Sequence, residues 1–202
     1  MAKKQYDDSQ VKELLLQALE TERGGIQIYT TAIKAAQNED LRKEWQDYLD
    51  ETRTHEKVLL ELFAEVGLDP EEGSPGREVV AHQGRSLVQA IEMAIANAPA
   101  EAAELVAAEC VVLAETKDHM NWELIGHVAK EASGAYTKAM KKAHEEVEED
   151  EDHHLYHTAG WTRELWIQSL GLPAVLPPPE EVKKVATAIG ASRAEQARKE
   201  ML

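Results

Sequence analysis

Glutamate and histidine recur in this chain at positions whose helical neighbours are apolar. Leu15, Leu19, Glu22, Ile26, Tyr29 and Ile33 advance in steps of three or four, which puts Glu22 on the buried side of a helix. Ala108, Val111, Glu115, Trp122, Ile125 and Ala129 do the same for Glu115. His55 lies in line with Trp45, Leu49, Thr52, Leu59 and Leu62. Glu151 and His154, spaced i, i+3, share a stripe with Met140, Ala143, Val147, Thr158, Trp161 and Leu165. A lone carboxylate buried in this way is costly and takes up a proton instead. Two carboxylates facing two imidazoles differ, because a di- or trivalent cation neutralises them. Their oxygen and nitrogen donors suit iron, manganese or zinc. Carboxylates that bridge hold two ions about 4 Å apart, with positions open to a small reactant.

Further donors lie close by. Glu51, at i−4 from His55, is near the same face and is a candidate ligand. His119, at i+4 from Glu115, is another. Asp150 and His153 repeat the Glu151/His154 spacing one residue earlier, so two registers are open for this helix. His157 follows His154 by one turn and suits a supporting hydrogen bond. Tyr29 and Trp122 each follow a candidate glutamate by seven residues and are expected as core aromatics that shield the ions.

The elements that must position these groups are helical. The chain has 202 residues, enough for a sizeable core, with 43 % hydrophobic and only 5 % aromatic residues. Long helices are expected over about 8–37, 39–66, 99–130 and 135–170, with Gly67 and Gly171 as stop signals. Short links make the first and last pairs antiparallel hairpins. A crossover of roughly thirty residues joins the pairs, with a small amphipathic helix expected around 86–96. After Pro177-Pro178-Pro179 come short helices over 180–189 and from Ser192, carrying Lys183, Lys184, Arg193, Arg198 and Lys199. The formal net charge of −16 leaves no basic footprint for nucleic acid along the main body. The single Cys110 excludes a disulfide or a four-cysteine metal site within one chain. No run is apolar enough to cross a membrane or to form a signal core at Met1, so the cytoplasm is expected.

The ordered set resembles the ferritin-like superfamily. Glu22-Arg23-Gly24-Gly25-Ile26-Gln27-Ile28-Tyr29 is similar to the first ligand helix of ferritins and rubrerythrins, where a small residue follows the glutamate at +3 and a tyrosine at +7. Glu151-Asp152-His153-His154 resembles their Glu-x-x-His, and Glu115 to Trp122 their third-helix glutamate with its aromatic. Leu49-Asp50-Glu51-Thr52-Arg53-Thr54-His55 is similar to the second helix of a stress-associated subgroup. The chain departs from that pattern in having Thr52 where the family has a glutamate, and in lacking a rubredoxin-like module.

The resemblance implies an all-α, ferritin-like four-helix bundle over 8–170 with one long crossover, followed by a Pro-rich linker and helical extension over 171–202. It implies two iron ions, or manganese, held by Glu22, Glu51, His55, Glu115, Glu151 and His154, with His119, Asp150 and His153 as possible additions. The substrate would be dioxygen or hydrogen peroxide, in ferroxidase- or peroxidase-like chemistry within a homo-oligomer that binds neither nucleic acid nor membrane. A manganese-catalase-like enzyme and a non-enzymatic scaffold with a degenerate site are the alternatives.

Overall fold

A computed structural model of the chain describes residues 6–179. The helices expected over 180–189 and from Ser192, with their basic residues, lie outside the described residues. All regular structure described is helical: α1 (Asp8–Ala35), α2 (Glu39–Val66), α3 (Pro75–Asn97), α4 (Ala100–Glu131) and α5 (Thr137–Ser169). None of these helices is long and apolar enough to cross a membrane.

The helix ends follow local chemistry. Asp7 Oδ1 accepts from Ser9 N at 2.9 Å and Gln10 N at 3.3 Å, and Asn38 Oδ1 caps α2 through Asp40 N and Leu41 N. Gly67, at φ 73°, closes α2 in the left-handed region that favours glycine. The helix expected around 86–96 is instead α3, starting at Pro75. Ser74 caps it and Pro75 occupies its first turn, where the missing N–H costs nothing. Its buried residues are only Arg77, Val80, Ile91 and Ala94. A helix covered on one side carries a thin apolar stripe, so its first half shows little helical periodicity.

The packing order is closed. α1 packs on α2 and α4, and α5 packs on the same two, while α3 lies outside against α1 and α4. Gly76 sits beside Gln17 and Gly84 beside Gly24, so α3 runs alongside α1 in the same direction and returns the chain to the start of α4. Glu104 of α4 accepts the backbone N–H of both Gln37 and Asn38 at 2.7 Å, which pins the α1–α2 turn.

The core falls into two apolar clusters. One gathers Tyr29, Trp45, Tyr48, Ile91, Val111 and Trp161. The other gathers Leu15, Leu59, Phe63, Trp122, Ile125 and Met140. Each fully buried large apolar side chain contributes about 1.5–3 kcal/mol. The candidate ligands lie between the clusters along the helices, at the level of Glu22, His55, Glu115 and His154.

One contact at that level fixes the α1–α2 spacing. A Cβ on Gly25 would lie 3.3 Å from the Thr52 methyl, tighter than most such contacts. Gly25→Val is therefore expected to destabilise the protein by about 1–3 kcal/mol through overpacking. Adding Thr52→Ala should recover part of that loss in urea-unfolding midpoints, and strict additivity of the two changes would contradict the contact.

Candidate metal centre

Each of the four core-enclosing helices sends acidic or imidazole side chains inward at one level: Glu22 from α1, His55 from α2, Glu115 and Asp118 from α4, Glu151 and His154 from α5. None of the six is more than 4 % exposed. Single donor atoms of His55, Glu151 and His154 lie within 4.8 Å of one another, and so do donor atoms of Glu22, Asp118 and Glu151. Glu151 belongs to both groups.

These atoms approach to ion-pair distance without forming hydrogen bonds. His55 Nδ1 is 3.0 Å from Glu151 Oε1 and 4.0 Å from Glu22 Oε1, yet makes no hydrogen bond. His154 Nδ1 is 3.7 Å from Glu115 Oε2. Glu22 Oε2, Glu115 Oε2, Asp118 Oδ1 and Glu151 Oε2 are buried and also lack a hydrogen-bond partner. Buried polar atoms are nearly always satisfied. Several of these orphans converge on one region, where their donor types suit a cation.

The outer nitrogens of the imidazoles are occupied. His154 Nε2 lies 2.7 Å from Glu51 Oε2, and His55 Nε2 lies 3.3 Å from Asp150 Oδ2. A carboxylate on the outer nitrogen fixes the ring and leaves the inner nitrogen as a ligand. Glu51 and Asp150, both read from sequence as candidate ligands, thus sit behind the histidines. The hydrogen bond from His55 holds the Asp150 carboxyl below its usual range. On the inner side, Trp122 Nε1 donates to Glu22 Oε1 at 2.8 Å and leaves Oε2 for another partner.

No protein-family profile, curated protein or solved structure matches the chain.

The remaining candidates lie apart. His119 Nε2 is 2.8 Å from Asp152 Oδ1 on the α4–α5 seam. His153 approaches the Tyr48 hydroxyl at 3.4 Å and stacks on His157, away from the inner donors. His157 in turn lies 2.8 Å from Glu44. α5 therefore presents Glu151 and His154 inward. Thr52 does not enter the site: its hydroxyl donates to Tyr48 O at 2.8 Å and its methyl faces Gly25. Asp118 is the donor that sequence reasoning missed. Its signal was present, since it follows Glu115 by three and precedes Trp122 by four on the same stripe.

Burial and mutual repulsion dominate the electrostatics. Burial raises Glu22 well above the usual carboxylate range, and Asp118 and Glu151 add to the rise. Asp118 is raised by burial and then by Glu151 and Glu115, and Glu151 by burial and then by Glu115. For His154, burial favours the neutral ring, but Glu51, Glu115 and Glu151 outweigh it and leave the imidazole raised above 6.5. All four groups keep their protons longer folded than unfolded. The stability they contribute is complete below the unfolded values, 4.5 for glutamate and 3.8 for aspartate, and is lost as pH rises through the folded values. In chelator, the melting temperature should therefore fall as pH is raised from roughly 5 to roughly 8, and Glu22→Gln should flatten the slope. A melting temperature that climbs over that range would contradict this account.

Proposed function

We infer that the helices form a ferritin-like four-helix bundle, with α1, α2, α4 and α5 as its members and α3 as the crossover, and that the chain is a two-metal carboxylate protein. Iron or manganese bound there would supply electron transfer to dioxygen or hydrogen peroxide. The observation that carries the reading is the convergence of orphaned donors on two groups that share Glu151. His55 and His154 would serve one position, Glu22 and Asp118 the other, with Glu151 common to both and Glu115 beside His154.

The chain's own residues have definable tasks in this reading. Asp150 and Glu51 orient the imidazoles through their outer nitrogens and leave the inner nitrogens facing the site. Trp122 holds one oxygen of Glu22. Tyr48, its ring centroid 4.3 Å from that of His154, covers one side of the site. The apolar clusters on either side exclude water, so a small uncharged oxidant reaches the centre more readily than a charged reductant does.

Four inner carboxylates against two imidazoles make an oxygen-rich donor set, which favours manganese as much as iron and keeps the catalase-like alternative in view. Asp118 offsets the carboxylate that Thr52 denies α2, which weakens the case for a degenerate scaffold. A cytoplasmic homo-oligomer is part of the same reading.

Anaerobic titration with Fe(II) or Mn(II) should give about two ions per chain. Metal held at about 100 times its dissociation constant should stabilise the fold by about 2.7 kcal/mol. Glu151→Ala should abolish both equivalents, while Asp118→Ala should remove one and leave the His55/His154 position. Loaded protein should consume dioxygen or peroxide, and binding of less than one equivalent by the wild type would overturn the reading.

A further inference from the structure

Behind the α1–α4 seam, outside the ring of carboxylates, a cavity of about 480 Å³ opens between α1, α3 and α4. Its volume is in the range of small-molecule sites. Gly24 and Gly84 line it where α1 and α3 approach closely: a Cβ on Gly84 would lie 3.5 Å from the Cα of Gly24. Ile28, Val80, Leu87 and Leu113 are its large apolar lining residues, His82, Gln83 and Ser86 line it too, and Leu113 is 60 % exposed.

One cation sits in this apolar wall. Lys117 lines the cavity, and its ammonium donates to the amide oxygen of Asn121. Asn121 is fully buried and donates in turn to Thr21 Oγ1 at 3.0 Å. Among the described residues no carboxylate lies within ion-pair distance of Lys117. Glu20, the acidic residue on the same wall, is taken by Arg77 at 2.9 Å. In a chain of net charge −16, with many carboxylates on offer, a half-buried lysine held by a neutral amide stands out.

We propose that this cavity binds a small amphipathic carboxylate, its head on Lys117 and its apolar body along Ile28, Val80 and Leu87. A single lysine matches one negative charge, and the acidic surroundings disfavour a dianionic phosphate. Thr21 and Lys117 directly precede Glu22 and Asp118 in the chain, so a bound ligand lies against the outside of the helical turns that carry those carboxylates. The ligand site is nonetheless separate from the metal reading, because none of its residues is among the inner donors.

Calorimetric titration of the full chain with decanoate and with decanol, in chelator and after metal loading, tests the proposal. Decanoate is expected to bind more tightly than decanol whether or not metal is present. Lys117→Met should weaken decanoate by about tenfold and leave decanol unchanged, Lys117→Arg should keep most of the decanoate affinity, and Leu87→Trp should abolish both by filling the cavity. Circular dichroism melts establish that each variant is folded. Equal affinity for the two probes, unchanged decanoate binding in folded Lys117→Met, or binding of neither probe by the wild type would overturn the proposal. None of these outcomes bears on metal stoichiometry, so the two readings fail separately.

Discussion

Carboxylates crowded into the middle of a dry helical core repel one another, and that repulsion sets terms for the rest of the molecule. Two like charges about 4 Å apart cost about 4 kcal/mol even at an effective dielectric constant of about 20. Glu22, Asp118 and Glu151 meet in such a core, with donor atoms within 4.8 Å of one another, so protons or cations are favoured at its centre. The apolar clusters on either side supply the cohesion that offsets this strain. Long helices suit the task, because their backbone polar groups are satisfied internally and leave the side chains as the only claimants on a ligand.

The two inner imidazoles are held from behind as much as from the front. Glu51 and Asp150 are consecutive-turn neighbours of His55 and His154 on opposite helices, and each helix supports the other's imidazole. This reciprocal arrangement couples the α2–α5 spacing to the orientation of both rings. The α1–α2 spacing is set differently, by the contact of Gly25 with the Thr52 methyl. A glutamate at position 52 would have to displace that contact. The chain places its additional carboxylate on α4, where Asp118 reaches the core without disturbing it.

Most of the helical framework is written in stripes that can be read directly. Residues such as Leu15, Leu19, Leu59, Val111 and Trp161 are buried on more than one side, so their periodicity is strong. α3 was legible only in part, because a helix lying on the outside of two others needs few apolar residues, and between Gly76 and Arg85 only Val79, Val80 and Ala81 are apolar. Periodicity alone places Glu22, His55 and Glu115 on buried stripes, but it leaves the α5 register open between Glu151/His154 and Asp150/His153, which side-chain packing decides. The inner or outer place of Glu51 and Asp150 could not be found in this way, since that depends on side-chain reach across a helix pair. His119 shows the limit of spacing arguments: it is on the correct helix, one turn from Glu115, but the seam offers it Asp152 first.

The hydrogen bond from Trp122 to Glu22 has a spectroscopic consequence. The indole is 1 % exposed and its N–H ends on a carboxylate oxygen at 2.8 Å. Its surroundings are therefore the buried charges of the site, Glu22 on its N–H and the His55 ring 6.4 Å away, rather than solvent. Trp45 and Trp161 are equally buried, but Trp161 bonds to Glu44, outside the donor groups, and Trp166 is 44 % exposed. The molecule thus carries a built-in optical probe at the boundary of its charged centre, able to register a change there without any label.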